Sequence, residues 1–374
     1  MQSKEQIYFD VAATTPVDEE VINLINKINL NYFGNPSSIH QHGQKSHNLI
    51  EKSRISIANS INCNPSEIIF TSGGSESNNL VLKGVLNAGD HLITSSYEHP
   101  SILALAKSIE KKGIEVTYIK PEKTGLINLE SIEKNIKSNT KLISIMYVNN
   151  EIGTINPINE ISQIAQNHNI FFHTDAVQII GKKTVSVKNI DFMSVGAHKF
   201  YGPKGIGFLY AKKGTIINPI IEGGGQENGF RAGTENLSFI AGMDLALKKS
   251  IQNISKNQHR IVELEKLFLK KLDQEKINYR INGESRLPGF LNITFYGIDG
   301  NNLLINLDIK NISISYGSAC SSGTSKPPLA LLEIGMPINE AKSSVRISIG
   351  KFINETQITE LINALKNIIE RIKI

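Results

Sequence analysis

Three side chains that together could carry out covalent chemistry stand at separated points of this chain. Cys320 lies in Ser315-Tyr316-Gly317-Ser318-Ala319-Cys320-Ser321-Ser322-Gly323, where small residues and glycines suit a solvent-reachable thiol better than a core one. Lys199 follows His198 in the Gly-flanked stretch Gly196-Ala197-His198-Lys199-Phe200-Tyr201-Gly202-Pro203-Lys204-Gly205. A lysine held there away from bulk water has a depressed pKa and attacks carbonyls, although most lysines of any chain are solvated surface groups. Asp175 closes the apolar run Ile170-Phe171-Phe172-His173-Thr174. A carboxylate at the end of a buried parallel strand faces the crevice where ligands sit in open α/β sheets, and there it suits a protonated ring nitrogen. Its plainer reading is an N-cap for residues 176–180. An imine-forming amine, a partner for a ring nitrogen and a sulfur nucleophile make one workable set.

Other residues extend the set. Ile69-Phe70-Thr71 runs into Ser72-Gly73-Gly74-Ser75-Glu76-Ser77-Asn78-Asn79 and then an apolar helical pattern. A strand feeding a Gly/Ser loop that opens a helix is an anion site, with Ser75 adding a hydroxyl, though such loops are also plain turns. Gln178 lies about one turn past Asp175 and could hydrogen-bond a ring substituent. His99, in Tyr97-Glu98-His99-Pro100, is either an imidazole that stacks on a ring and moves protons or simply the start of a helix before Pro100.

The elements that must position these groups are readable from periodicity. Strands are predicted at Ile68–Thr71, Leu92–Ser95, Val116–Ile119, Leu142–Val148, Ile170–Thr174, Asp191–Val195 and Ile206–Tyr210. Helical patterns lie between many of them, such as Ile102–Lys111 and Ile158–Asn167, the latter with Asn156 as cap and Pro157 at the first helical position. This alternation predicts a mostly parallel sheet with helices on both faces. After residue 235 the pattern changes to two helices (Asn236–Ile254, Gln258–Gln274), three strands (Leu291–Phe295, Ile312–Ser315, Val345–Ile349) and a final helix, Glu355–Ile372. That reads as a second, α+β domain.

With 374 residues, 40% of them hydrophobic, the chain is long enough for a large domain and a smaller one. The net charge of +5 is spread without a dense basic block, so it implies solubility and attraction for a small anion rather than a nucleic-acid surface. Two cysteines, Cys63 and Cys320, make no disulfide framework and point to a reducing compartment such as the cytoplasm; Cys63 has no context that assigns it a role. The N-terminal MQSKEQIYFD has no apolar core of a signal peptide, and no apolar run of about 18 residues suggests a membrane span. No metal site is assigned.

Taken in order along nearly the whole chain, the motifs resemble the cysteine desulfurases of the NifS/IscS type, which are class-V aminotransferase-family enzymes using pyridoxal 5'-phosphate. The resemblance rests on Tyr8-Phe9-Asp10 with Ala12-Ala13-Thr14-Thr15-Pro16, and on Gly34-Asn35-Pro36-Ser37-Ser38-Ile39-His40. It continues in the residue 71–79 loop and in Val148-Asn149-Asn150-Glu151-Ile152-Gly153, then in His173-Thr174-Asp175 with Gln178 and in His198-Lys199. Further on come Gly223-Gly224-Gly225-Gln226-Glu227, Arg231 with Gly233-Thr234-Glu235-Asn236, Gly317-Ser318-Ala319-Cys320 and Ser344-Val345-Arg346.

The resemblance implies an α/β, fold-type-I homodimer with a mostly parallel seven-stranded sheet. Residues 15–255 would form the large domain, and residues 1–14 with 256–374 a small α+β domain carrying the cysteine loop. It implies that Lys199 carries the cofactor and moves protons, that His99 stacks on the ring as acid/base, that Asp175 pairs the ring nitrogen and that Gln178 meets the phenolic oxygen. Gly74, Ser75 and His198 would bind phosphate, and Thr234 would reach the phosphate held by the neighbouring subunit. Asn35, Asn150 and Arg346 would orient L-cysteine, with Arg346 clamping its carboxylate. Cys320 would take the sulfur as a persulfide and pass it to an acceptor such as an iron–sulfur scaffold or a tRNA-thiolation enzyme.

Three positions depart from the family pattern. Val11 replaces a polar or aromatic residue. Gly196 replaces a serine that hydrogen-bonds phosphate, a loss of about 1 kcal/mol. Lys326-Pro327-Pro328-Leu329 replaces Glu-Pro-Ser followed by His or Tyr. None removes Lys199, Asp175 or Cys320, so an active enzyme is expected. The competing readings are a related lyase or transaminase, a selenocysteine lyase, and a non-catalytic scaffold of the same fold.

Overall fold

The computed structural model describes residues 6–317 and 327–372. The chain begins with β1 (Ile7–Tyr8), α1 (Glu19–Asn31) and α2 (Gln41–Ile61). Then follow β2 (Ile68–Thr71), α3 (Gly74–Val85), β3 (His91–Ser95), α4 (Pro100–Glu110), β4 (Glu115–Ile119), α5 (Leu129–Lys134), β5 (Thr140–Ser144) and α6 (Ile158–Asn167). β6 (Phe171–Asp175), β7 (Phe192–Gly196) and β8 (Gly207–Ala211) complete the first half. The second half comprises α7 (Leu237–Gln252), α8 (Ile254–Gln274), β9 (Tyr279–Asn282), β10 (Phe290–Phe295), α9 (Gly300–Asp308) and β11 (Ile312–Ser313). It ends with α10 (Leu329–Glu333), α11 (Ile338–Lys342), β12 (Ser344–Ser348) and α12 (Glu355–Ile372).

Seven strands form one sheet in the order β2-β8-β7-β6-β5-β3-β4. Only β8 runs against its neighbours. The expected, mostly parallel α/β sheet is therefore present. Its central strands read as continuous apolar runs because helices cover both faces; Phe172, Val195 and Phe208 are fully buried. Each such side chain contributes about 1.5–3 kcal/mol by leaving water. Because the strands are parallel, Thr71, Ser95, Asp175 and Gly196 all end at the same edge of the sheet. That edge collects the residues singled out above.

A separate apolar core lies around the three-stranded sheet β12-β10-β9. It contains Leu264 and Phe268 of α8, Leu291 and Ile293 of β10, Leu361 and Leu365 of α12, and also Ile7 and Phe9 from the other end of the chain. β1 pairs with β11, which ties the N-terminus to this core.

Several boundaries differ from the sequence expectation. The strand predicted at Leu142–Val148 is Thr140–Ser144, because the N–H of Met146 donates to Glu98 rather than to a strand neighbour (2.9 Å). Asn156 does not cap α6. Its side chain instead joins Met146 O, Tyr97 Oη and Ile127 N, and Pro157 takes the cap position without a side-chain bond. β9 was not foreseen, since Tyr279-Arg280-Ile281-Asn282 has a weak apolar pattern and is set by its antiparallel register with β10. No helix among the described residues is long and apolar enough to cross a membrane.

Candidate active site

At the strand edge lies a polar cavity lined by Ala12, Ala13, Gly74, Ser75, His99, Ser101, Asn150, Asp175, Gln178, His198, Lys199 and Arg346, among others. Sequence positions as far apart as 12 and 346 thus share one space. Its parts are built locally. α3 starts at Gly74 with Gly73 as its cap residue, at φ +147°, a conformation that favours glycine, and no side chain caps the helix start. The first amides of α3 are therefore open to an anion, next to Ser75 and His198.

Lys199 sits in a short 3₁₀ turn directly after β7. Its Nζ donates to the carbonyls of Ala12 (2.6 Å) and Ala13 (2.7 Å). Desolvation, followed by repulsion from Arg346 and Lys182, pushes its pKa down to about 7. At neutral pH a good share of this amine is therefore an unprotonated nucleophile. The same desolvation, with Lys199 beside it, pushes His198 down to about 4, so its ring is neutral. His198 Nδ1 lies 3.1 Å from Thr14 Oγ1, and its carbonyl accepts from Thr15 N (2.9 Å) and Thr15 Oγ1 (3.0 Å). The Ala-Ala-Thr-Thr segment thus serves as a wall stitched onto the lysine turn.

Asp175 fulfils both of its sequence readings at once. Oδ1 accepts from Val177 N (3.0 Å), which caps the following turn, and Oδ2 accepts from Asn78 Nδ2 (2.9 Å) inside the cavity wall. Asn78 Nδ2 also donates to Ser101 Oγ (2.8 Å), which lies 2.7 Å from His99 Nδ1. His99 likewise combines both readings: it is the N-cap of α4, with Nδ1 accepting from Ser101 N (3.1 Å), and it lines the cavity. Because Nδ1 accepts a backbone N–H, the neutral ring carries its proton on Nε2. Burial lowers the pKa of His99, and Lys199 adds to this while Asp175 opposes it.

Arg346, on β12, crosses from the second core into the cavity and is 1% exposed. It donates to Asp10 Oδ1 (2.8 Å) and to the carbonyl of Asn150 (2.6 Å), while its Nε has no partner among the described residues. Gln178 donates to Ala12 O through Nε2 (2.9 Å).

Sequence reasoning overlooked four contributors. Asn78 and Ser101 link Asp175 to His99, Asp10 holds Arg346, and Lys182 bonds Gln178. Asn78 was detectable: it is four residues after Gly74 on one helix face, opposite the end of β6. Lys182 carries the same local signal, four residues after Gln178, and Ser101 stands two residues after His99, whereas nothing local ties Asp10 to Arg346. Asn35 and Thr234 do not line this cavity. Both are exposed, and their neighbours Pro36, Ser37 and Glu235 border a second groove. Cys320 and Lys326 lie outside the described residues. Gly196 leaves space: a Cβ there would sit at ordinary contact, 3.5 Å from Gly74 N and from the His198 ring. Val11 packs outside the cavity, where a Cβ on Gly350 would meet it at 2.6 Å.

The family model for class-V aminotransferases matches residues 7–361. The chain belongs to the class-V aminotransferase family. Within it, the chain is 42% identical over 378 residues to the cysteine desulfurase IscS of Dictyoglomus turgidum, covering 99% of this chain and 96% of that one. Among solved structures, a NifS-like protein superposes with a TM-score of 0.92 at 33% identity, covering 98% and 100% of the two chains. A protein named SspA, solved in complex with cysteine, reaches a TM-score of 0.82 at 36% identity, covering 93% and 100%. The cavity of this family member therefore lies within the region that its relatives share.

Proposed function

We infer that this chain is a cysteine desulfurase. It takes sulfur from L-cysteine, releases L-alanine and holds the sulfur on Cys320 for an acceptor. It is a pyridoxal 5'-phosphate enzyme, and the residues present fit that group. They offer an amine with its pKa near 7, a carboxylate held by two hydrogen bonds, an uncapped helix start, and the buried Asn78 Oδ1 without a partner among the described residues. When bound, pyridoxal phosphate supplies an electron-withdrawing ring that takes up the electron pair left when the substrate α-carbon loses its proton.

The chain's own residues do the rest. Lys199 would hold the cofactor through its amine, and its neutral Nζ would move the substrate α-proton. Asp175 would keep the ring nitrogen protonated, and Gly74, Ser75 and His198 would hold the phosphate. His99 covers the ring and exchanges a proton at Nε2. Arg346 has donor capacity left after Asp10 and Asn150 are bonded, and it takes the substrate carboxylate, with Asn150 beside it. Cys320 attacks the substrate sulfur as a thiolate. The S–S bond forms, the carbon–sulfur bond breaks, and its electron pair returns to carbon, which is protonated to alanine.

The path of the chain supports reach. Ser315 is paired with Arg346 through two backbone bonds (3.0 and 2.7 Å), and five residues from there to Cys320 span at most about 18 Å. The homodimer in which each subunit completes its partner's site rests on the family resemblance, and the exposure of Asn35 and Thr234 outside this cavity is compatible with it. A sulfur acceptor for iron–sulfur or thiolation chemistry and a cytoplasmic setting follow from the same reading.

The observation that carries the proposal is the convergence of Lys199, Asp175, the α3 start and Arg346 on one cavity. The test is to incubate the protein with L-cysteine and analyse its peptides by mass. An added sulfur on the Cys320 peptide with matching alanine is expected. Sulfur elsewhere, or alanine output unchanged in Cys320→Ser, would overturn it.

A further inference from the structure

Behind the cavity stands a second, half-buried lysine that the reaction above does not use. Lys182 lines an adjoining apolar cavity with its stem and turns its amine towards Gln178. Its backbone is pinned: Lys182 O accepts from Gln258 Nε2 of α8 (2.7 Å), and the preceding Gly181 has φ +74° with no room for a Cβ, which would lie 2.9 Å from that of Phe200. Lys182 Nζ donates to Gln178 O (2.9 Å) and to Gln178 Oε1 (3.3 Å). At the other end of the same amide, Gln178 Nε2 donates to Ala12 O, which also accepts from Lys199 Nζ (2.6 Å). Two lysines are thus joined through one glutamine and one carbonyl.

A glutamine amide is nearly symmetric in shape but not in chemistry, since one end accepts and the other donates. A lysine amine aimed at carbonyl oxygens acts as donor, so it fixes Oε1 towards itself and leaves the NH₂ end facing the catalytic cavity. We propose that Lys182 is a positioning residue that orients the Gln178 amide so that it presents a donor, not an acceptor, to the oxygen of the cofactor ring. Ala12 O reinforces this orientation only while Nε2 stays on it. Once Nε2 turns to a ring oxygen, Lys182 is the remaining constraint. Burial, then Arg346, pushes the Lys182 pKa down to about 7. The neutral amine still has two N–H groups for its two acceptors, so orientation does not depend on its charge.

This inference rests on the reading that Gln178 meets the cofactor, and a double-mutant cycle separates the two. Lys182→Met, Gln178→Leu and the double variant are titrated with pyridoxal phosphate, reading the dissociation constant and the ratio of the visible absorption bands at fixed pH. Lys182→Met is expected to weaken binding about fivefold and to change the band ratio, with no further change when added to Gln178→Leu. If Lys182→Met has no effect, or its full effect persists in the Gln178→Leu background, the positioning role is wrong while the Gln178 assignment stands. If Gln178→Leu alone leaves both readouts at wild-type values, the placement of Gln178 at the ring fails and Lys182 falls with it. Thermal melts check folding, and Lys182→Leu replaces Lys182→Met in the cycle where that variant does not fold.

Discussion

Two buried arginines in this molecule have nearly the same surroundings and opposite completeness. Arg54, 7% exposed, has a partner on each of its three nitrogens. It donates twice to Glu227 (2.8 Å each), to Ile68 O (2.7 Å) and to Glu51 (3.0 Å), with its guanidinium 4.5 Å from the Phe70 ring centre. Arg346 also stacks near a ring, 5.8 Å from Phe290, and holds Asp10 and Asn150, yet its Nε is left over. Arg54 joins α2 to the start of β2 and to the 3₁₀ turn at Gln226–Gly229, and it borders the second groove. Arg346 borders the catalytic cavity. The lesson is that a buried cation with every nitrogen bonded joins parts of the fold, whereas one kept partly unserved beside a cavity is held ready for an anion.

The comparison can be broken by exchanging the expected consequences. Arg54→Met leaves the Glu227 carboxylate buried and unpaired and should cost about 3–5 kcal/mol in urea unfolding, while KM for cysteine in the folded protein stays at its wild-type value. A tenfold or greater rise in KM there would put Arg54 at the site. Arg346→Gln should do the reverse. KM for cysteine rises by about 100-fold, through the loss of charged hydrogen bonds, with a smaller shift in the urea midpoint because Asp10 is less buried than Glu227.

Glu98 sharpens the rule, because it is buried and partly unserved yet does not line the cavity. Its Oε1 accepts from Ser95 Oγ (2.6 Å) and Met146 N, and its Oε2 has no partner among the described residues. Burial pushes its pKa up to about 8 from an ordinary 4.5. A raised carboxyl stabilises the fold fully below 4.5, and that contribution is lost as pH rises to 8. Glu98→Gln keeps both bonds without the proton. It should therefore remove a slope on the order of 1 kcal/mol per pH unit between pH 5 and 8, measured by unfolding of the cofactor-free protein. Equal slopes in both proteins would show that Glu98 is ionised throughout. The smallest effect is at Gly196. Gly196→Ser adds a hydroxyl where a Cβ fits and should tighten pyridoxal phosphate binding about fivefold in an absorbance titration; weaker binding would mean that the phosphate end of the site is already complete.

Much of this was legible in the chain. Phe70, Phe172 and Val195 lie in apolar runs bounded by Gly, Ser or Asp, so the central strands and their ends were visible, and with them Gly74, Asp175 and Lys199. His99 and Asp175 each carried two readings that turned out to be compatible, because one atom of each side chain serves the backbone and the rest faces the cavity. Asn156 was misread. Its place before a proline looks like a cap, but three partners from distant segments outbid that role. Asn35 and Thr234 had motif context without a place in this cavity.

Local order along the chain determined which residues end up at strand ends and helix starts, since periodicity and turn chemistry act over a few neighbours. Tertiary structure alone decided which of those ends meet. The Asp10–Arg346 pair, the Ala12 carbonyl beneath Lys199 and the Gln178 bond to Ala12 join residues far apart in the chain, whose partnership depends on how distant segments pack. The lowered pKa of Lys199 belongs to that second class too: it comes from lost water and from cations brought near by the fold, and neither is written in the residues beside it.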